Sequence, residues 1–211
     1  MKLTIIYPDL PFWRAEISRL ALFIGEIEFE DVRPSREEIS KMRNEGIFPF
    51  GQFPVLRVDS KTIAQTGAIA RFCGKLSGLY PMDNDFHAAK VDEVIDLATD
   101  ITHKIRPALK ENNPEKSKEM RRELANKTLP IWLGFMETLL KKNGKTGYFV
   151  NNYLTIADLA AWRLCGWISS GVIVGIPENI LDNYPLLKDH QNHISCLPKV
   201  AEWLEKNQKK Q

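Results

Sequence analysis

The sequence predicts a small α/β domain followed by an all-α domain. Within its 211 residues, short β-type runs alternate with helical periodicity only in the first part of the chain. The segment Ser77–Asp85 then collects Gly, Pro and small polar residues, as domain linkers do. Beyond it, apolar residues recur at helical spacing almost to the end. The first part reads β-α-β, a polar helix, then β-β-α, an order that suits a small sheet covered by helices.

The elements of the first part follow from local patterns. A buried-type strand at Leu3–Tyr7 is stopped by Pro8, and apolar spacing predicts a helix over Arg14–Ile24 with Gly25 as its C-cap. Pro54 belongs at the start of a strand, because it cannot donate a hydrogen bond within a sheet. The other predicted elements are a strand over 27–32, a weak helix at Ser35–Asn44, a strand through Val58, a turn at Asp59–Lys61, a strand ending at Ile63 and a helix at Ala68–Lys75.

The second part is predicted to be helical throughout. An apolar stripe from Val91 to Leu109 indicates one long helix, which Asn112–Pro114 ends. Thr155 and Asp158 have the spacing of a capping box ahead of a very apolar helix, and we expect them to be structural. Further helices are predicted at Met120–Lys141, at Leu154–Ser169 and, divided near Leu197–Pro198, at Asp182–Lys206.

Composition excludes several classes of partner. A net charge of +2 gives no reason to expect nucleic acid or an anionic membrane as partner. No apolar run approaches the ~20 residues that cross a bilayer. Three cysteines, Cys73, Cys165 and Cys196, are widely separated and lack a CxxC pair, so we expect core thiols in a reducing compartment rather than disulfides or a metal site. A cytoplasmic location is expected.

The stretch from Phe48 to Phe72, FPFGQFPVLRVDSKTIAQTGAIARF, predicts a binding site for a small acidic peptide. Pro54 leaves the backbone of Phe53 free to pair with an extended ligand. Gln65 and Thr66 stand where the next helix begins, and the free N–H groups of a helix start attract carboxylates. The alternative for Gln65 and Thr66 is plain helix capping.

The chain resembles the cytosolic glutathione transferases, and within them the sigma-like group that includes the haematopoietic prostaglandin D synthases. The matching segments are PFGQFPVLRVDSKTIAQTGAIARF at 49–72, the helix start Arg14-Ala15-Glu16, VDEVIDLATD at 91–100, LTIADLAAW at 154–162 and ILDNYPLLKDHQNHISCLPKVAEWL at 180–204. The resemblance implies a thioredoxin-like domain at 1–80, a linker at 81–85 and an all-α domain at 86–211. It also implies a homodimer that uses glutathione as co-substrate, without a metal.

The resemblance implies a set of glutathione-binding residues. The backbone of Phe53, before a cis Pro54, would pair with the cysteinyl residue, and Gln65 with Thr66 would hold the γ-glutamyl carboxylate. Asp100 would reach the glutathione of the other subunit. The implied set is Arg14, Gln52, Phe53, Pro54, Gln65, Thr66 and Asp100. Lys41 and Arg43 remain alternatives for the glycyl end.

Catalysis is expected to depend on Tyr7. It carries the only side-chain hydroxyl between positions 7 and 14, and relatives activate the glutathione sulfur from the end of the first strand. A hydroxyl that donates to the sulfur favours the thiolate over a thiol whose pKa is ~8.5. Tyr7 lies seven residues before Arg14, whereas relatives have the catalytic tyrosine six residues before the arginine. Without a gap in the alignment, Pro8 would occupy the catalytic position. A loop through Pro8–Pro11 that is longer by one residue would restore Tyr7.

The second substrate is expected to be a hydrophobic electrophile. The resemblance suggests that Phe12, Trp13, His103 and Ile105 line its pocket, although His103 could equally be a surface residue. Conjugation to glutathione, with peroxidase or isomerase activity on the side, is the predicted function. The alternative is a non-catalytic glutathione-binding, ligand-carrier or crystallin-like structural protein, which a misplaced Tyr7 would favour.

Overall fold

The first part of the chain forms a four-stranded sheet with helices. The computed structural model describes residues 1–10 and 12–208, so Pro11, part of the predicted loop, lies outside the described residues. The strand order is β2-β1-β3-β4, with β1 parallel to β2 and the other pairs antiparallel. The elements are β1 Leu3–Ile6, α1 Trp13–Ile24, β2 Glu30–Val32, α2 Arg36–Asn44, β3 Val55–Val58, β4 Lys61–Ala64 and α3 Thr66–Ser77.

Local signals account for most of these bounds. Ser35 caps α2 in a reciprocal pair with Glu38, which turns the weak helical pattern of this segment into a defined helix. The predicted strand over 27–32 shrinks to the three residues of β2. The helix expected from Ala68 begins earlier, at Thr66, directly after β4.

The second part of the chain is helical, as predicted. Its helices are α4 Asp85–Lys110, α5 Pro114–Glu123, α6 Leu129–Lys142, α7 Ile156–Ile168, α8 Pro185–Ser195 and α9 Pro198–Gln208, with a 3₁₀ turn at Ile180–Asn183. Among the described residues, no helix has both the length and the apolar character that a bilayer crossing requires.

The helix predicted from Met120 to Lys141 is in fact two helices joined by a π-helical turn. The turn spans Leu124–Thr128, and the N–H of Leu129 donates to the carbonyl of Leu124. Pro130 follows directly and has no N–H to donate, so the regular ladder is interrupted here.

Helix α7 is the centre of the molecule. Nearly all of its residues are buried, and it packs against both α1 and α4. A second link between the two parts is the ion pair between Arg71 in α3 and Asp92 in α4, with Nε and Oδ1 2.6 Å apart. The sheet-side helix α1 is therefore held against the helical part by a continuous apolar core.

Asp158 anchors the start of α7. Its fully buried carboxylate accepts from the backbone N–H of Phe149 and of Thr155, both at 2.8 Å, and from the Thr155 hydroxyl at 2.9 Å. His190 Nε2 lies 3.2 Å from the same group. The predicted structural role of Thr155 and Asp158 fits these contacts.

We predict that Asp158→Ala lowers the free energy of unfolding by about 3 kcal/mol, since several buried donors lose their acceptor at once. Urea unfolding measures the change. Asp189→Ala, in the exposed part of α8, is the control and should cost less than about 0.5 kcal/mol. A cost below about 1 kcal/mol for Asp158→Ala would contradict the role given to this carboxylate.

Candidate functional site

A small polar cleft lies where the sheet meets the start of α3. It is open to solvent, and the Phe53–Pro54 peptide bond beside it is cis. Its lining includes Arg14, Gln52, Phe53, Pro54, Gln65 and Thr66. Six residues that the resemblance assigned to one site are thus brought together from α1, the loop before β3 and the start of α3.

Gln65 has an unusual backbone conformation with a positive φ. Its φ is 75° and its ψ is 125°, a combination that is costly for any residue except glycine. Its side chain makes no capping hydrogen bond to α3. The capping alternative for Gln65 is therefore wrong for this structure, and the carboxamide stays available to a ligand in the cleft.

A larger apolar cavity adjoins the polar cleft. It measures about 430 Å³ and shares Arg14 and Phe53 with the cleft. The rings of Phe12 and Trp167 meet edge to face in its wall, with centroids 4.6 Å apart. The remaining lining residues are Tyr7, Leu10, Thr102, Arg106, Leu109, Lys110, Val172 and Ile173. A ligand in the cleft and an apolar ligand in the cavity would therefore lie side by side.

Tyr7 lines the apolar cavity at the end of β1. Its ring packs edge to face on Phe53, with centroids 5.4 Å apart, and only 2% of the residue is exposed. Burial raises the pKa of Tyr7 to about 12, although the charges of Arg14 and Arg19 act in the opposite direction. Tyr7 is therefore a neutral phenol at physiological pH, able to donate its proton in a hydrogen bond.

Arg19 fixes the segment that carries Tyr7, and the sequence did not single it out. Its side chain is 1% exposed, and one guanidinium NH donates to the Tyr7 carbonyl at 3.3 Å. Its Nε donates to Asp31 at 2.8 Å, and it also pairs with Glu16. Glu16 in turn accepts from the Trp203 indole at 2.5 Å, which ties this network to α9. The sequence did contain one indication of this role, since Arg19 is a cation among the mostly apolar residues of α1 and a buried cation needs partners.

The expectation that Trp13 lines the substrate pocket is wrong. Trp13 is the first residue of α1, is fully buried and is not part of the cavity wall. Its indole N–H donates to the Thr102 hydroxyl at 2.9 Å, so it ties α1 to α4 instead. Of the two adjacent aromatics, only Phe12 faces the cavity.

The expectation that His103 and Ile105 of α4 line the pocket is also wrong. His103 is exposed outside the cavity and Ile105 is fully buried in the core. Residues two apart point to different sides of a helix, whereas spacings of three and four share one side. Of the residues of α4 that line the cavity, Thr102, Arg106 and Lys110 are four apart, and Leu109 is three from Arg106.

Three further candidate residues lie outside the cleft of this chain. Asp100 is exposed on α4 and is not among the residues that line either cavity. Lys41 is exposed on α2, with its amine 4.0 Å from Glu45. Arg43 is exposed on the same helix, and neither cation lines the cleft.

Two of the three cysteines lie in the core as expected, whereas Cys196 is exposed, so the expectation of a core thiol is wrong for Cys196. Burial raises the pKa of Cys73 and of Cys165 to about 12, so both are protonated thiols in the core. Within residues 1–10 and 12–208, no three His, Cys, Asp or Glu side chains are grouped as metal ligands.

Comparisons with known proteins match almost the whole chain. A family model described as "Glutathione S-transferase, N-terminal domain" matches residues 3–74, and one described as "Glutathione S-transferase, C-terminal domain" matches residues 99–207. The glutathione S-transferase of Plasmodium yoelii yoelii is 32% identical over 90% of this chain and 88% of the relative. The hematopoietic prostaglandin D synthase of Rattus norvegicus is 30% identical over 90% and 89%.

Solved structures agree with these relatives. Prostaglandin synthase D of Nilaparvata lugens superposes with a TM-score of 0.85 at 28% identity, covering 98% of both chains. Monomeric Na-GST-3, a glutathione S-transferase of the hookworm Necator americanus, gives a TM-score of 0.81 at 32% identity, covering 98% of this chain and 97% of that one. The predicted fold, a thioredoxin-like domain followed by an all-α domain, is confirmed.

We predict that Arg19→Met lowers the free energy of unfolding by about 3 kcal/mol, because the Tyr7 carbonyl and the partly buried carboxylates of Glu16 and Asp31 all lose a buried donor. Arg33→Met is the matched control. Arg33 also binds Asp31, at 2.8 Å, but its side chain is 23% exposed, so we expect a loss below about 1 kcal/mol. Equal losses in urea unfolding would contradict the anchoring role of Arg19.

Proposed function

The chain belongs to the glutathione S-transferase family, and we propose that its two adjoining clefts hold the two substrates of the transfer reaction. The protein is an enzyme that uses glutathione as co-substrate. The observation that carries the proposal is the sharing of Arg14 and Phe53 between a polar cleft and an apolar cavity, with Tyr7 beside both residues. A non-catalytic carrier or structural protein is not favoured, since the relatives across the chain are named glutathione S-transferases.

The polar cleft is proposed to bind glutathione. The backbone of Phe53 would pair with the cysteinyl residue, while Gln65, Thr66 and the start of α3 would hold the γ-glutamyl carboxylate. Gln52 would reach the glycyl end, and Arg14 would offset the negative charge of the tripeptide. In support, these side chains face one cleft and the Gln65 carboxamide is not used to cap α3.

Tyr7 is proposed to activate the sulfur. As a neutral phenol it would donate a hydrogen bond to the thiolate, which lowers the pKa of the thiol and releases its proton to solvent. The thiolate sulfur then forms a bond to the electrophilic carbon, and the leaving group departs with the electron pair of the broken bond. The apolar cavity would bind the hydrophobic part of the electrophile beside the sulfur.

Side activities follow from the same activated thiolate. It could reduce a peroxide or assist an isomerisation, and the similar proteins include the hematopoietic prostaglandin D synthases of Rattus norvegicus and Gallus gallus. We propose such reactions as secondary to conjugation.

The division into domains, the assembly and the location are also proposals. We propose domains at 1–80 and 86–211 with a linker at 81–85; the coil between α3 and α4, residues 78–84, supports this division. A homodimer is supported by the exposure of Phe50, at 64%, beside the polar cleft and by the exposure of Asp100 on α4. A cytoplasmic location is supported by the three free cysteines.

We predict that Tyr7→Phe lowers kcat/KM for conjugation of a chlorodinitrobenzene about tenfold to a hundredfold at neutral pH. The bound thiol would lose its hydrogen-bond donor, so its pKa would rise toward ~8.5 and the deficit would shrink as the assay pH rises above that value. The dissociation constant for glutathione serves as the control and should change little. Equal rates for both proteins would remove Tyr7 from the mechanism.

Thr66→Val should raise the dissociation constant for glutathione about tenfold, because a hydroxyl donor to a carboxylate is replaced by a methyl group. Calorimetric titration measures the change. Thr62→Val, on the exposed face of β4, is the matched control and should bind normally. An unchanged affinity in Thr66→Val would place the γ-glutamyl carboxylate elsewhere.

If the partner subunit completes the site, Asp100→Asn should weaken glutathione binding about tenfold in a protein that sediments as a dimer. Asp96→Asn, one turn away on α4, is the control. Normal affinity in dimeric Asp100→Asn, or a monomer with full affinity, would contradict the proposal.

A further inference from the structure

The wall of the apolar cavity carries several cationic side chains. Arg14, Arg106 and Lys110 line it, whereas no aspartate or glutamate does so in the part of the chain that the structure describes. Burial is the main reason that the pKa of Arg14 is lowered, and the positive charge of Arg106 lowers it further. The two guanidinium groups therefore repel each other. A purely hydrophobic electrophile gives no reason for this concentration of positive charge.

Arg106 and Lys110 are exposed at the mouth of the cavity, and they differ in their partners from the less exposed arginines of the molecule. They lie one turn apart on α4, an arrangement that like charges make unfavourable for the helix. Arg19, Arg33 and Arg71 each bind a carboxylate. No salt bridge or side-chain hydrogen bond occupies Arg106 or Lys110 within residues 1–10 and 12–208. Their donors remain free to bind an anion.

These two cations stand on the electrophile side of the site. Arg14 faces both the polar cleft and the cavity, and its charge is already assigned to glutathione. Arg106 and Lys110 line the cavity but not the polar cleft, and the apolar residues Leu109 and Val172 line the cavity with them. A ligand that satisfies this wall has an apolar body with an anionic group at one end.

We propose that the second substrate is an aromatic electrophile that carries a carboxylate, and that Arg106, assisted by Lys110, binds that carboxylate. This inference rests on the proposed function, since it names the substrate class of the same cavity. A guanidinium can hold a carboxylate through two parallel hydrogen bonds, which gives orientation as well as affinity. The apolar rings of Phe12 and Trp167 would contact the aromatic body.

The test compares two electrophiles that differ in charge but share a ring and a leaving group: 4-chloro-3-nitrobenzoate and 4-chloro-3-nitrobenzamide. Values of kcat/KM are measured with saturating glutathione and divided by the uncatalysed rate of each compound, which removes their different intrinsic reactivity. Wild type, Arg106→Met, Lys110→Met and the control Lys104→Met are compared. Lys104 lies on the same helix but contacts Trp132 outside the cavity, so its substitution matches the change in net charge.

We expect the wild-type enzyme to prefer the benzoate, and Arg106→Met to lower the benzoate-to-benzamide ratio by about tenfold. Lys110→Met should lower it less, and Lys104→Met should leave it unchanged. Added salt should also reduce the preference for the benzoate, because both cations are exposed to solvent.

Other results would overturn the inference in distinguishable ways. An unchanged ratio in Arg106→Met would exclude the carboxylate site. Equal losses for both compounds, with a raised KM for glutathione, would assign Arg106 to the tripeptide instead. If wild type turned over both compounds without preference, or neither of them while still conjugating the chlorodinitrobenzene, only this inference would fall. If it conjugated none of the three compounds, the proposed conjugation would fall with it.

Discussion

The position of Tyr7 depends on the buried guanidinium of Arg19. A buried cation must be paired on every side, and Arg19 is paired by the Tyr7 carbonyl, Asp31 and Glu16. Each of these partners lies on a different part of the site: the end of β1, the edge strand and α1. The contact from Trp203 to Glu16 extends the constraint into the last helix. The phenol is thus held by both parts of the fold.

The two substrates, as proposed, would meet two physically different environments. The polar cleft offers backbone groups and the start of a helix, both suited to an extended, charged peptide. The cavity beside it offers apolar and aromatic surface, which suits a compact electrophile. Phe53 and Arg14 form the shared boundary, so the sulfur of a peptide bound in the cleft would face the cavity across Tyr7.

Sequence reasoning predicted the polar cleft well because its residues are nearly contiguous. Six of the seven residues expected to bind glutathione lie around one cleft, and five of them come from the single segment 48–72. The cavity was harder, since its wall depends on how α4 is rotated and how α1 packs. The helical periodicity of α4 limits which of its residues can share one face, but it does not say which face meets the cavity. Only the fold shows that Thr102 and Arg106, rather than His103 and Ile105, line the cavity.

The ionisation of glutathione bound to the enzyme tests this account most directly. The ultraviolet absorbance of the thiolate can be titrated with pH in complexes with wild type and with Tyr7→Phe. A thiol pKa well below ~8.5 in the wild-type complex that returns toward that value without the phenol would agree with a neutral Tyr7 donating to the sulfur. The same pKa in both complexes would contradict it.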